Sequence, residues 1–153
     1  MFFELAQDML LAAVAAVGFA LVFNVPARLL GYCAFLGALG HGFRFILLRY
    51  DLVSIDWGTL FASMLIGTLS IIFSRRFLAH PKVVSVAAVI PMFPGVSVYT
   101  SIIALLNLYL YGYSPERMEL WVTHFLKGSI LIGALSLGLT LPGIWIYRRR
   151  PSV

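Results

Sequence analysis

The sequence predicts an all-α membrane protein with five transmembrane helices, the fourth of which is interrupted. Composition gives the class, because 61% of the residues are hydrophobic and 11% are charged, whereas globular soluble domains carry roughly 25% charged residues. Length gives the number of helices, since five apolar stretches reach the about 18 to 20 residues that cross a hydrocarbon core about 30 Å thick. The interruption is predicted from Pro91, Pro94 and Gly95, which stand inside one stretch.

The spans belong to one integral membrane domain that occupies residues 1–153. The chain begins Met-Phe-Phe-Glu, which is acidic rather than basic, and no small-residue cleavage site follows a short apolar stretch. The first stretch is therefore predicted to be a retained span rather than a signal peptide. The predicted spans lie at about residues 5–25, 29–48, 57–74, 83–110 and 121–147.

The second span carries a histidine and an arginine on one helix face. His41 and Arg44 stand three residues apart in "GALGHGFRF", and residues at this spacing are neighbours on a helix. Charge inside a membrane is costly and usually faces a pathway or a partner, so the pair indicates an anion-binding and proton-sensing site. Gly40 and Gly42 would let another backbone or a substrate come close. The alternative is that Arg44 extends to the outer interface.

The third and fifth spans contain small residues at a helix-packing spacing. These pairs are Ser63 with Gly67 and Ser129 with Gly133. Small residues let helix backbones approach closely, which favours association where water supplies no driving force. We expect close helix packing at these pairs, with Gly138 continuing the pattern in the fifth span. The alternative for any single pair is that glycine is simply common in membrane helices.

The fourth span is interrupted within "VIPMFPGVSVYTS", residues 89–101. A straight helix over residues 83–110 would be about 42 Å long, so part of it can be non-helical. The predicted break, Pro91–Gly95, lies close to the midplane and leaves free carbonyls near Ile90 and free N–H groups near Gly95. In discontinuous transporter helices such ends bind substrates and coupling ions. The alternative is a kink satisfied by a neighbouring helix.

We predict a substrate-binding site at this break, joined by the polar residues of the second span and the hydroxyls that follow the break. Its predicted members are His41, Arg44, Pro91, Pro94, Gly95, Ser97, Tyr99 and Thr100. Asp8 and His41 are the candidates for coupling to an ion or proton. Asp8 lies a turn into the first span and would pair with Arg44 or Lys127, or relay protons; the sequence leaves these options open.

Ionisable residues at the ends of spans have simpler interpretations. His124 and Lys127 lie near the outer end of the fifth span, where extension to the interface or pairing with Glu119 is expected. His80 and Lys82 precede the fourth span and are expected to lie in an ordinary solvated loop.

Basic residues predict the orientation of the chain. The loops on one side collect seven of them, whereas the other side has Arg49 and Arg117 among five acidic residues. By the positive-inside rule the N-terminus is outside and the C-terminus is cytoplasmic. The basic side contains Arg28, Arg75, Arg76, Lys82, Arg148, Arg149 and Arg150.

Other function classes find no support in the sequence. The net charge of +5 is spread over loops rather than gathered in a nucleic-acid-binding patch, and Cys33 has no second cysteine for a disulfide. No hydrolase, zinc or nucleotide motif is present, so we expect no enzyme activity, cofactor or metal. Five spans would suit one half of an inverted-repeat carrier, whose other half would be a separate polypeptide.

Four segments resemble a known family. They are "LAQDMLLAAVAAVGFALVFNVP", "GALGHGFRFIL", "LAHPKVVSVAAVIPMFPGVSVYTS" and "LPGIWIYRRRPSV". Over nearly the whole chain they resemble the YjjB-type small subunit of the threonine/serine exporter (ThrE-like) family. The resemblance implies a multi-pass protein of the bacterial inner membrane that works with a YjjP-type subunit in succinate export, while fused relatives export threonine and serine.

The residues leave the substrate open. A dicarboxylate needs two anion sites, which His41 with Arg44 and the helix end at Gly95 would provide. An amino acid needs one anion site and an acceptor for its ammonium group, such as the carbonyls near Ile90 or Asp8. The excess of bases within the spans favours the dicarboxylate. A different class of function is a non-transporting subunit that assembles or stabilises a partner.

Overall fold

The computed structural model describes residues 2–77 and 80–149, with the side chains of 75–77 and 147–149 excluded. The described part is helical and contains no β-strand. Its elements are α1 (Phe2–Val22), α2 (Ala27–Arg49), α3 (Ile55–Phe77), α4 (Pro81–Val89), a 3₁₀ turn (Ile90–Met92), α5 (Gly95–Tyr111) and α6 (Pro115–Arg149).

The predicted fold class is confirmed. Four helices are long and apolar enough to cross a membrane, and a fifth span results if the broken pair α4 and α5 counts as one. The largest boundary difference is in α6, which begins at Pro115 rather than near residue 121. The Ser114 hydroxyl caps this start by accepting a hydrogen bond from the Arg117 amide at 3.3 Å, and proline suits a first helical position. Hydropathy cannot detect a helix that extends beyond its apolar stretch.

The helices form two compact units. The first comprises residues 1–92 and 134–153, and the second comprises residues 93–133. The predicted orientation and inverted repeat stay predictions. Several of the basic residues on which the orientation rests, Arg75, Arg76 and Arg148–Arg150, have side chains outside the described part.

Helix α2 lies at the centre of the first unit, in contact with α1, α3 and α4. Leu29, Cys33 and Leu36 form its buried stripe, each at most 2% exposed. Gly37 lets α1 come close, because a Cβ placed there would lie 2.6 Å from the Ala16 Cβ. The core of this unit is therefore built from small and aliphatic residues at close helix crossings.

Helices α1 and α2 end in the same way. Asn24 and Asp51 adopt φ angles of 55° and 48°, a left-handed conformation that asparagine and aspartate tolerate better than most residues. After α1 the Val25 amide donates to the Ala20 carbonyl at 2.9 Å, and after α2 the Leu52 amide donates to the Leu47 carbonyl at 3.1 Å. Such bonds satisfy carbonyls that a helix end leaves unpaired, so both helices stop sharply and the chain reverses.

The small residues of α3 pack as predicted, against α6. A Cβ on Gly138 would overlap the Ser63 hydroxyl, and one on Gly67 would lie 3.0 Å from the Leu139 carbonyl oxygen. The predicted pair in α6 behaves differently: Ser129 is exposed, and nothing lies within 4 Å of a Cβ on Gly133. Close packing at Ser129 and Gly133 is therefore wrong within the described part of the chain.

This contrast gives a stability prediction. Gly138→Val should destabilise the protein by about 1–3 kcal/mol, because inserting side-chain volume at a filled contact forces the helices apart. Gly133→Val is the matched control, since it adds the same side chain to α6 where there is open space. Thermal unfolding of both purified variants in detergent measures the difference. Equal melting temperatures would contradict the α3–α6 contact.

Candidate functional site

The interruption of the fourth span lies where the prolines predict it. Helix α4 ends at Val89, Ile90–Met92 form a 3₁₀ turn, and α5 begins at Gly95. The interruption is narrower than the predicted Pro91–Gly95, because Pro91 lies inside the 3₁₀ turn and Gly95 is already helical. Proline is compatible with the start of a helical turn, where its missing N–H has no partner to lose.

A contact between a carboxylate and an imidazole joins α1 and α2 beside this interruption. The Asp8 Oδ2 atom lies 2.6 Å from the Nδ1 atom of His41. The register of the antiparallel helices α1 and α2 brings these two side chains together. The residues that follow them are also in contact, since a Cβ on Gly42 would lie 2.7 Å from the Met9 Cγ. The two side chains are 29% and 24% exposed, respectively. Asp8 therefore pairs with His41, a partner that the sequence-based options did not name.

Arg44 connects this pair to the interruption. One turn beyond His41, its Nη1 donates a hydrogen bond to the Met92 backbone carbonyl at 3.2 Å. Met92 is the last residue of the 3₁₀ turn, and the carbonyls at such an end lack helical partners. The predicted alternative in which a neighbouring helix satisfies the break is thus realised in part, by a residue that is also a predicted member of the site. Arg44 is half-buried and directed at the break.

The first unit therefore contains a compact set of ionisable groups. It holds the carboxylate of Asp8, the imidazole of His41 and the guanidinium of Arg44, with the Met92 carbonyl at the end of a broken helix. A guanidinium has five N–H donors in a planar fork that matches a carboxylate, so it can contact one carbonyl and still bind an anionic solute. Beside it lie the carboxylate of Asp8 and the imidazole of His41, 2.6 Å apart.

The glycines around His41 serve helix packing. A Cβ on Gly40 would overlap the Ile66 side chain of α3, whereas Gly42 accommodates Met9 of α1. Of the two expectations for these glycines, the structure shows the close approach of neighbouring helices. Their effect on the site is indirect, because they fix α2 between its neighbours and so fix where His41 points.

The start of α5 belongs to the second unit. Pro94 precedes it without a side-chain cap, the Gly95 amide donates to the Phe93 carbonyl at 2.8 Å, and nothing lies within 4 Å of a Cβ on Gly95. The predicted hydroxyls separate: Ser97 is 8% exposed, Tyr99 is 67% exposed, and Thr100 is half-buried. Their joint action with Arg44 on one solute stays a prediction.

Two histidines have local environments that the sequence analysis missed. His80 caps α4, since its Nδ1 accepts a hydrogen bond from the Lys82 amide at 3.3 Å. His124 of α6 has a buried Nδ1 that meets no hydrogen-bond partner among the described residues. Among the described residues, no hydrogen bond or ion pair joins His124 to Glu119. Lys127 is exposed.

Comparison with known proteins identifies the family. A sequence model described as "Threonine/Serine exporter, ThrE" matches residues 8–145. The chain belongs to the threonine/serine exporter family. The match includes Asp8, His41, Arg44 and the whole interruption, so the site lies inside the region that defines this exporter family. No solved structure matches the chain.

Family membership and the apolar helices together describe a transporter-type, multi-pass membrane protein. The sequence resemblance implied this description. The YjjB-type identity, succinate export and the YjjP-type partner, which it also implied, stay predictions. The contacts of the predicted site residues could not be read from the sequence. Nothing in its spacing indicates that a side chain of α2 would meet a backbone carbonyl 48 positions away.

Proposed function

We propose that this chain is one subunit of a two-component secondary transporter that exports a small carboxylate, succinate foremost, across the bacterial inner membrane together with a YjjP-type subunit. One observation carries the proposal: the guanidinium of Arg44 lies at the end of a broken helix, one turn from the Asp8–His41 pair. Ionisable residues inside a membrane are rare and usually mark a solute or proton pathway. Broken helices are the usual location of transporter sites.

The site suggests how a carboxylate would bind. Arg44 meets a neutral carbonyl at 3.2 Å, and a charged carboxylate is a stronger acceptor that a guanidinium binds through two parallel hydrogen bonds. An arriving solute would therefore compete for the guanidinium and release the Met92 carbonyl. A 3₁₀ turn has weaker hydrogen-bond geometry than an α-helix, so this segment can rearrange at low cost.

The Asp8–His41 pair would couple this step to protons. An imidazole changes charge between pH 5 and pH 8 more readily than any other side chain. A proton that leaves or joins the pair changes the net charge beside Arg44, and thereby the affinity of Arg44 for an anion. Alternating access would then expose the site to the opposite face of the membrane, where the solute is released.

A second candidate solute is threonine or serine. The family description favours it, and the site contains the groups that an amino acid requires: a guanidinium for the carboxylate, and the Asp8 carboxylate as an acceptor for the ammonium group. Pairing with His41 already occupies Asp8 Oδ2, which leaves the dicarboxylate as the simpler fit to the cationic group.

Uptake into inverted membrane vesicles tests the function, since export appears there as accumulation. Vesicles containing this chain, its YjjP-type partner, both or neither are supplied with labelled succinate, threonine or serine. We expect accumulation only with both subunits, and with succinate above the amino acids. Accumulation of threonine and serine alone would select the second candidate.

The same experiment addresses a non-transporting role. If the partner alone accumulates solute at the full rate and this chain changes only the amount of partner protein, the chain is an assembly subunit. That result would remove the proposed solute site.

A further inference from the structure

Within residues 93–133, α5 and α6 approach each other closely at Gly128. A Cβ placed on Gly128 would lie 3.5 Å from the Val98 Cγ2 and 3.8 Å from the Ser97 Cβ. The helices are antiparallel and joined by a short turn. Four residues closer to that turn on each helix, Ser101 therefore lies opposite His124, one helical turn beyond the contact of Ser97 with Gly128. We call Ser97, Ser101 and His124 the α5–α6 seam.

Within the part of the chain that the structure describes, the seam contains one fully buried polar atom without a partner, the Nδ1 atom of His124. Ser97 and Ser101 are 8% and 6% exposed as residues, and their hydroxyls, which are not fully buried, make no hydrogen bond within that part. The buried serines of α3 differ, because Ser70 donates to the Ile66 carbonyl at 2.7 Å and Ser74 to the Ile71 carbonyl at 3.0 Å.

An unpaired polar atom at such a position is costly, because a buried donor or acceptor without a partner costs about 1–3 kcal/mol. An apolar side chain at position 124 would avoid this cost. The unpaired imidazole nitrogen of His124, with two serines on the neighbouring helix, therefore indicates a ligand that supplies a hydrogen-bonding atom.

We infer that the α5–α6 seam is a second solute site, which binds an oxygen of the exported metabolite through Ser97, Ser101 and His124. The inference rests on the proposed export function and adds Ser101 and His124 to the residues that determine affinity. Hydroxyl groups both donate and accept, and the imidazole does one or the other at Nδ1. Such a site fits the hydroxyl of serine or threonine as well as one carboxyl group of a dicarboxylate.

Conservative substitutions test the seam. Ser101→Ala and His124→Gln in the complete two-subunit transporter should each raise the KM for uptake into inverted vesicles about 10-fold, the equivalent of one lost hydrogen bond of about 1.4 kcal/mol. Neither should lower the amount of protein or its melting temperature. Ser70→Ala is the matched control, because it removes a buried hydroxyl that has its own partner, and its KM should equal that of the wild type.

Comparing the KM values for different solutes identifies which oxygen of the solute the seam binds. A raised KM for serine and threonine with an unchanged KM for succinate assigns the seam to a hydroxyl group, and the reverse pattern assigns it to the second carboxyl group, which succinate has and the two amino acids lack. Wild-type KM values in both variants for every solute would overturn the inference and leave the proposed function intact. Absence of uptake by the wild-type transporter would instead contradict both the proposed function and the inference about the seam.

Discussion

Export by an Arg44→Gln variant should fall by at least about 30-fold, because removing one charged partner of a buried polar interaction costs about 2–5 kcal/mol. Glutamine keeps an N–H donor but offers a carboxylate no charge, and its shorter side chain also gives up the contact of Arg44 with the Met92 carbonyl. Rates of succinate uptake into inverted vesicles, normalised to the amount of inserted protein, measure the loss.

Two further variants test whether the loss of export is specific to the guanidinium of Arg44. Arg44→Lys should retain part of the activity, since an ammonium group keeps the charge but lacks the planar fork that matches a carboxylate. Arg28→Gln removes the exposed arginine in the first turn of α2, and should export at the wild-type rate. Equal rates for Arg44→Gln and Arg28→Gln would show that Arg44 has no part in solute binding.

Separating the Asp8–His41 pair should have the second largest effect. Removing one partner of a buried ion pair leaves the other uncompensated and costs about 3–5 kcal/mol where the pair is fully buried. At 29% and 24% exposure, Asp8→Asn and His41→Gln should each cost less than this. Each single variant should still accumulate to lower levels than the wild type. The double variant contains a neutral amide pair that can hydrogen-bond, so its protein level should recover.

The double variant should therefore recover its protein level without recovering export. The double variant should export at a low rate that no longer responds to an imposed pH gradient, because neither amide can carry a proton. Glu116→Gln is a suitable control, since Glu116 is an exposed acidic residue in the first turn of α6. A double variant with the wild-type response to the gradient would exclude the pair as the coupling site.

Much of the fold can be predicted from the sequence, because the bilayer imposes simple constraints. A span must be apolar and long enough to cross, and proline cannot continue a helix without losing a hydrogen bond. These rules place the helices and put the start of α5 at Gly95, where the structure has it. They fail at the start of α6, which depends on the cap at Ser114 and on the turn before it.

The contacts of the site are harder to predict. His41 and Arg44 are recognisable as charged residues within a span, but their partners depend on how α2 packs. Asp8 reaches His41 through the register of α1 against α2, and Arg44 meets a backbone carbonyl that has no residue-specific pattern. The burial of His124 depends on the approach of α5 at Gly128. Such contacts follow from tertiary packing, which a single sequence does not specify.

Equilibrium binding of labelled solute to the purified two-subunit protein tests the central claim, that Arg44 at the broken helix binds the carboxylate of the exported metabolite. The account predicts saturable binding that unlabelled succinate displaces and its uncharged diamide does not, and it predicts that Arg44→Gln abolishes this binding while Arg28→Gln preserves it. The same dissociation constant in the wild type and in Arg44→Gln would contradict the account.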